Sequence, residues 1–261
     1  MRRVAFREWV LGIVMVLAAV LAVALWPYLQ HYVGVRPPDQ FFADLHPALV
    51  KPDAPVLGIA HNAGNNPSTT ADALAYGADV IEIDVISAGG ELVAGRDQPL
   101  TRLAGKMFRG YSLEEMWGRA ATADIIKLDL KQTDRKFLDN LVGFLTPRVQ
   151  HHTVMISTGD TVSISYLHAV LPSVTLLFSI GWPDRLTALR AAPDLVRNIG
   201  GVSIFQGLVD ADLVTWMHQP GLLVLVWTVN NGQRLNELVR LGVDGVTTAN
   251  LAILQALTEA R

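Results

Sequence analysis

A histidine and two carboxylates lie in the first two apolar segments that read as strands. His61 closes the run at 56–62, and Glu82 and Asp84 lie two residues apart in the run at 80–85. Because side chains alternate along a β-strand, Glu82 and Asp84 project from one face, at a spacing that suits one hard cation. A histidine together with a metal-binding carboxylate pair can hydrolyse a phosphate ester. The pattern therefore predicts phosphate-ester chemistry beside these two strands.

The elements that must position these groups repeat along the chain. Short β-branched runs predict eight strands, at 56–62, 80–85, 123–131, 152–158, 175–181, 201–207, 222–230 and 244–249. Amphipathic segments predict helices between them, at 69–77, 112–120, 135–146, 161–171, 183–196, 210–218, 232–241 and 250–259. Eight such units in about 210 residues favour a closed (β/α)8 TIM barrel of the α/β class. The alternative, an open doubly wound sheet, usually has fewer strands and a Gly-rich first turn.

A barrel carries its chemistry at the carboxyl ends of its strands. Polar or aromatic residues lie at these predicted ends: His61, Asp129, Lys131, Ser157, Trp227, Asn230 and Thr248. We therefore expect one site on a single rim.

Composition narrows the classes of partner. The chain has 261 residues, 51% of them hydrophobic, and a net charge of -3. Without a basic excess or a run of lysine and arginine, nucleic acid is not expected as a partner. Cysteine is absent, which excludes disulfides and thiolate metal sites.

The N-terminal segment is long and apolar. Residues 9–30 contain no charged side chain and are long enough to cross a bilayer, and three arginines precede them: Arg2, Arg3 and Arg7. This predicts a single-pass anchor at 1–30 with a cytoplasmic N-terminus, a Pro-containing linker at 31–54 and an exported barrel at 55–261. The alternative is a signal peptide cleaved after Ala24, which would leave the barrel secreted.

Several segments together carry a resemblance to a known family. In order they are His61-Asn62-Ala63-Gly64, Gly77-Ala78-Asp79-Val80-Ile81-Glu82-Ile83-Asp84-Val85, Asp129-Leu130-Lys131, Val226-Trp227-Thr228-Val229-Asn230 and Gly242-Val243-Asp244-Gly245-Val246-Thr247-Thr248. This order and spacing resemble the glycerophosphodiester phosphodiesterases of the PLC-like phosphodiesterase superfamily. The resemblance runs from residue 56 to the C-terminus. It implies a metal-dependent hydrolase of glycerophosphodiesters or related lipid-derived diesters.

The resemblance also implies a metal centre. It assigns Glu82, Asp84 and Asp129 as ligands of a divalent cation, Ca²⁺ or Mg²⁺, which are the ions that an all-oxygen site suits. The cation would neutralise phosphate charge and orient the attacking oxygen.

Further roles follow by resemblance, with two departures from the family. His61 would be a general acid or base. Arg96 stands where the family has its second histidine, and Asn62 stands where the family has an arginine. We therefore hypothesise that Arg96 clamps the phosphate and leaves His61 as the acid/base group. Asn62, Lys131 and Trp227 would bind the substrate.

Alternatives remain open at this stage. Lys131 could merely pair with Asp129, and Trp227 could pack the top of the barrel. Loss of the second histidine suits a degenerate barrel that binds phosphate-bearing ligands without turnover. A sphingomyelinase D-like lyase is the nearest enzymatic variant, because one fold hosts several chemistries. The expected partners are a small-molecule or lipid phosphodiester and, through the N-terminal helix, a membrane.

Overall fold

The computed structural model describes residues 55–95 and 110–260. Their strands, in chain order, are β1 Leu57–Ala60, β2 Val80–Ala88, β3 Glu91–Ala94, β4 Ile125–Leu130, β5 Thr153–Thr158, β6 Thr175–Ile180, β7 Gly201–Phe205, β8 Leu223–Trp227 and β9 Gly245–Thr248. The α-helices are α1 Pro67–Ala75, α2 Leu113–Ala120, α3 Arg135–Leu145, α4 Thr161–Val170, α5 Pro183–Arg190, α6 Pro193–Asn198, α7 Ala211–His218, α8 Gly232–Leu241 and α9 Leu251–Glu259.

Eight of these strands form a closed parallel barrel. The sheet runs in the order β1-β9-β8-β7-β6-β5-β4-β2, and pairing of β1 with β2 closes it. β3 lies outside the barrel as the antiparallel partner of β2. The prediction of a TIM barrel is therefore confirmed.

Local sequence sets where the helices begin. Seven of the described helices follow a residue whose side chain accepts a hydrogen bond from a backbone N–H of the first turn. These are the residue types that favour this position, because their short polar side chains reach the free N–H groups. The capping residues are Asn66, Ser112, Asp134, Asp160, Asp210, Asn231 and Asn250.

Besides small shifts at the ends of several elements, the structure differs from the predicted elements in two places. The single helix expected at 183–196 is two helices, α5 and α6, because Pro193 has no N–H to continue α5 and instead begins α6. The second strand extends beyond residue 85 to Ala88, since its last residues pair with β3. That hairpin was not predicted as a strand pair.

The core has two parts. The larger cluster fills the space between strands and helices, whereas a smaller one contains Ile59, Val80, Met155, Leu177 and Leu225. Val80, Glu82 and Asp84 share one face of β2, because alternate residues of a strand point the same way. The smaller apolar cluster therefore shares the barrel interior with an ionic layer nearer the carboxyl rim.

Several predictions concern other parts of the chain. The anchor at 1–30, the linker at 31–54 and Arg96 lie outside the described residues. None of the helices within 55–95 and 110–260 has the length and apolar character needed to cross a bilayer.

Candidate active site

The strands β2 and β4 bring the predicted carboxylates together. Asp84 on β2 lies directly opposite Asp129 on β4, and Glu82 lies opposite Lys127. Because residues two apart on a strand share a face, all four side chains project from one side of the sheet.

Lys127, which sequence reasoning did not single out, lies inside the barrel. Its side chain is 1% exposed, and Nζ donates to Glu82 Oε1 at 2.8 Å and to Ser203 Oγ at 3.3 Å. Ser203 is on β7, which two strands separate from β4, so this contact crosses the barrel interior. The backbone N–H of Asn62 donates to the other oxygen, Glu82 Oε2, at 3.3 Å. The ammonium of Lys127 thus balances the negative charge of Glu82, and these hydrogen bonds fix the orientation of its carboxylate.

Lys131 bridges the other two carboxylates. Its Nζ lies 2.9 Å from Asp84 Oδ1 and donates to Asp129 Oδ2. Burial alone would lower the pKa of Lys131, but the neighbouring charges of Asp129 and Asp84 raise it above its ordinary value. Ser157 Oγ donates to Asp129 Oδ1 at 2.6 Å. Lys131 is therefore a firmly charged ammonium, and the ion pair with Asp129 that the sequence left open as an alternative is present.

The two aspartates respond differently to this environment. Burial raises the pKa of Asp84, and the attraction of Lys131 offsets this only in part. Burial acts in the same direction on Asp129, but the charges of Lys131 and Lys127 outweigh it, so the pKa of Asp129 is lowered. Asp129 therefore holds its negative charge more firmly than Asp84 does as the pH falls.

Two asparagines in the turn after β1 orient Asp84. Asn65 Nδ2 donates to Asp84 Oδ2 at 3.0 Å, and Asn65 Oδ1 accepts from the backbone N–H of Asp84 at 2.8 Å. Asn62 has a φ of 56°, in the left-handed region that asparagine tolerates better than most residues. With its amide nitrogen turned toward Asp84, Asn62 lies 3.0 and 3.2 Å from the carboxylate oxygens. Asn62 thus contacts the carboxylate cluster, and its role toward substrate stays a prediction.

His61 follows β1 at the same rim. Its backbone N–H donates to Thr248 O at 2.8 Å, at the seam where β1 pairs with β9, and the residue is half-buried. The structure thus gives His61 the location that the barrel pattern predicts, and its acid/base role stays a prediction.

A cleft of about 420 Å³ opens beside Lys131. Its walls come from the ends of β4, β5, β6 and β8 and from the start of α5: Asp129, Leu130, Lys131, Thr133, Thr158, Gly159, Asp160, Ser179, Gly181, Trp182, Arg185 and Trp227. The Trp227 ring lines this cleft and packs against Phe205, with ring centroids 5.6 Å apart. The tryptophan predicted to wall a pocket therefore lines one.

Comparison with known proteins identifies the lineage of this barrel. Residues 106–252 match the model of the glycerophosphoryl diester phosphodiesterase family, which is more than half of the chain. The chain belongs to that family. The resemblance seen in its motifs is thereby confirmed.

Solved structures share the fold of this family member. A phosphodiesterase from Oleispira antarctica, in complex with the product sn-glycerol-3-phosphate, aligns with a TM-score of 0.65 at 19% identity, over 78% of this chain and 96% of that one. A glycerophosphodiester phosphodiesterase from Parabacteroides distasonis aligns with a TM-score of 0.63 at 19% identity, over 79% and 99%.

One curated relative aligns over a shorter stretch. Glycerophosphodiester phosphodiesterase GDPD4 of Arabidopsis thaliana is 28% identical over 85 residues, which are 33% of this chain and 26% of the relative. The chain therefore aligns with about a quarter of that protein.

The carboxylate cluster consists of Glu82, Asp84 and Asp129, and its chemistry can be compared with the divalent cation that the family resemblance implies. Its three side chains offer only oxygen atoms, which Ca²⁺ and Mg²⁺ prefer. Asp84 and Asp129 already converge on one cationic centre, the ammonium of Lys131. Within the described residues, however, no group of three or more His, Asp or Glu side chains has the arrangement of a metal site. The donor atoms suit such a cation, but in the described arrangement Lys131 pairs with both aspartates and Lys127 pairs with Glu82, so a cation would bind at the aspartates only in exchange for Lys131.

Sequence reasoning missed several groups of this site. Lys127, Asn65 and Arg185 were not predicted as site residues, although Lys127 lies two residues before Asp129 in the same strand. One signal was available for Lys127. An inward lysine two residues before Asp129 must share its face, and a buried lysine needs a carboxylate partner.

Proposed function

We propose that this chain is a phosphoric diester hydrolase that acts on glycerophosphodiesters or related lipid-derived diesters. Membership of the family supports the reaction class. The observation that carries the proposal is the charged side chain of Lys131, which Asp84 and Asp129 hold at the edge of the rim cleft. An ammonium fixed there can bind a phosphate oxygen and stabilise negative charge as it develops.

The remaining roles follow from location on the rim. His61, at the end of β1, would move the proton of the attacking or leaving oxygen. Trp227 would bound the pocket that receives the alcohol, and Asn62 would bind the substrate from the turn after β1. Arg96 would clamp the phosphate, as a permanent cation that does not exchange protons near neutral pH.

We also propose that turnover depends on a divalent cation. Asp84 and Asp129, with Glu82 near them, are the residues that would hold it in exchange for the ammonium of Lys131, which would then be free to bind the phosphate oxygen. When bound, Ca²⁺ or Mg²⁺ would neutralise phosphate charge and orient the attacking oxygen.

The test is hydrolysis by the purified full-length chain. Glycerophosphodiesters, lysophospholipids and an activated aryl diester would each be incubated with Mg²⁺, Ca²⁺ or EDTA. We expect cation-dependent turnover that His61→Ala abolishes. His151→Ala is the matched control, because His151 is exposed and precedes β5 at the opposite rim. Equal turnover by wild type and His61→Ala would contradict the assignment.

A binding protein without turnover is the second candidate. One observation favours it: all six oxygens of Glu82, Asp84 and Asp129 are within reach of protein groups that donate or carry positive charge. Calorimetry with sn-glycerol-3-phosphate would detect such binding. Binding by a folded chain that hydrolyses none of the diesters would establish this second function.

We further propose that residues 1–30 anchor the chain in a membrane, with the N-terminus in the cytoplasm and the barrel exported. The apolar, uncharged stretch at 9–30 supports this. Protease treatment of intact and permeabilised cells tests it. Digestion of the barrel in intact cells, with the protein in the membrane fraction, is expected. Recovery in the medium with residue 25 as the new N-terminus would instead establish cleavage after Ala24.

A further inference from the structure

The cleft beside Lys131 contains a second cationic group. Arg185 lies on α5, and its Nη1 donates to Gly159 O at 2.7 Å and to Ser179 O at 3.4 Å. These carbonyl groups belong to the loop after β5 and to the carboxyl end of β6. The guanidinium is therefore fixed on the same rim as Lys131, and it lines the same cleft.

A glycine makes this placement of Arg185 possible. A Cβ built on Gly159 would lie 1.7 Å from Nη1 and 2.7 Å from Cζ of Arg185. The guanidinium thus lies directly against the backbone of Gly159, where a larger residue would force it away. Pro183, at the start of α5, fixes the path of the helix that carries Arg185.

Arg185 forms no ion pair with a carboxylate of the described residues. Within residues 55–95 and 110–260 it forms no ion pair, in contrast to Lys131. Asp160 lines the cleft too, but its Oδ2 accepts from Ser163 N at 2.8 Å and from Ser163 Oγ at 2.6 Å, which caps α4. Arg185 is half-buried, so its charge is less screened than one on an open surface. Among the described residues, therefore, no carboxylate pairs with this positive charge, although Asp129 and Asp160 also line the cleft.

The ends of the strands beside the two cations are spaced to suit two charged groups of one ligand. β5 separates β4 from β6, and neighbouring strands are about 4.8 Å apart, so the ends of β4 and β6 lie about 10 Å apart. Between and beside them the cleft offers flat aromatic surfaces. Trp227 packs over Gly181, and Trp182 is 72% exposed at the mouth.

We propose that Arg185 forms a subsite for a second anionic group, a carboxylate or a phosphate, on the alcohol of the diester. This rests on the proposed function, since it places the reacting phosphate at Lys131. Arginine suits the subsite because its planar guanidinium binds carboxylate and phosphate through parallel hydrogen bonds. Diesters of acidic alcohols are then the preferred class, and alcohols that carry a quaternary ammonium are disfavoured by repulsion.

The test compares four diesters of sn-glycerol-3-phosphate with the full-length chain. Their second alcohols are glycerol, which is neutral, glycerate, glycerol phosphate and choline. For wild type we expect kcat/KM at least ten-fold higher for an acidic alcohol than for glycerol, and lowest for choline. Arg185→Met should reduce that acidic-to-neutral ratio about ten-fold through KM, and Arg185→Lys should restore part of it. The glycerate and glycerol phosphate arms distinguish a carboxylate subsite from a phosphate subsite.

Two controls separate this proposal from its competitors. Arg190→Met changes an exposed arginine of the same helix that stacks on Trp216, away from the cleft, and should leave the ratio unaltered. If Arg185→Met lowers kcat/KM equally for all four diesters, Arg185 only joins two loops and the subsite is refuted.

Binding keeps the subsite testable if the chain hydrolyses nothing. Calorimetry of wild type and Arg185→Met with the glycerol and glycerate diesters then replaces kinetics. Tighter binding of the acidic diester by wild type alone would support the subsite while the hydrolase proposal fails. Equal affinity of wild type for the two diesters would refute the subsite itself.

Discussion

Replacement of Lys127 by methionine is the sharpest test of how this barrel holds its carboxylates. Methionine keeps an unbranched side chain of similar length, so packing in the interior is largely preserved. The ammonium is lost, and with it the contacts of 2.8 Å to Glu82 Oε1 and 3.3 Å to Ser203 Oγ. Among the described residues, Glu82, which is 4% exposed, then keeps only the 3.3 Å hydrogen bond from the backbone of Asn62. The variant therefore contains a buried carboxylate without a counter-charge.

The magnitude follows from the burial of both partners. Removing one partner of a buried ion pair costs about 3–5 kcal/mol, because the remaining charge is left in a medium of low polarity. We expect Lys127→Met to lower the free energy of unfolding by that amount in denaturant titrations followed by circular dichroism. Lys136→Met, at an exposed position of α3, should change it by less than about 0.5 kcal/mol.

A double variant distinguishes loss of the pair from loss of packing. Glu82→Gln in the Lys127→Met background removes the uncompensated charge, so we expect most of the lost stability to return. If the stability loss of the double variant equals the sum of the losses of Lys127→Met and Glu82→Gln, the ion pair is not the source of the stability loss in Lys127→Met. A loss of less than about 1 kcal/mol in Lys127→Met alone would refute the reasoning, because two buried partners of this kind cannot be separated so cheaply.

Three further predictions test packing, electrostatics and cofactor dependence. Gly64→Ala should lower stability by about 1–3 kcal/mol in denaturant titrations, because a Cβ would lie 2.3 Å from Ile83 Cγ1, and an unchanged midpoint would contradict this. The hydrogen bond from Tyr166 holds the pKa of Asp139 below its usual value, so Tyr166→Phe should raise that pKa in an NMR titration. Because the folded-state pKa is lowered, the stability that Asp139 contributes is present above its usual pKa and is lost as the pH falls through the folded value. Treatment with EDTA should abolish diester hydrolysis and added Ca²⁺ or Mg²⁺ should restore it, whereas full activity in EDTA would exclude the proposed cation.

The barrel could be predicted because two sequence signals mark each of its strands. Each strand is a short run of β-branched residues, and a segment with helical periodicity separates it from the next strand. A chain of alternating strands and helices is compatible with few topologies. The break between α5 and α6 was missed because the apolar pattern continues across it, and only Pro193 marks the boundary. β3 was missed because a four-residue edge strand carries too little pattern to recognise.

The site was only partly predictable, for a reason that differs from residue to residue. His61, Asp84 and Asp129 were singled out because chemistry-bearing residues at strand ends are informative in a barrel, and their roles stay predictions. The spacing places Lys127 on the face of Asp129, but that signal is easily overlooked, since both faces of a barrel strand are covered and an apolar strand does not show which face is inside. Arg185 lies on a helix that is mostly polar, where an arginine usually faces solvent, and only the loop geometry at Gly159 turns it into the cleft.

Lys131 lies between the carboxylate cluster and the cleft. Its number of hydrogen-bond donors explains how it can pair with the aspartates and also bind a ligand in the cleft. An ammonium has three N–H donors and no acceptor. Within the described residues its partners are Asp84 and Asp129, and its side chain also lines the cleft. In the described arrangement, before any cation replaces Lys131 at the aspartates, the third N–H can therefore meet a phosphate oxygen while both aspartates stay paired. The main effect of the two aspartates is then to keep the ammonium of Lys131 at the rim. This explains how acidic side chains can lie beside a site that must attract an anion: each of the three carboxylates pairs with a lysine, and the ammonium of Lys131 reaches the cleft.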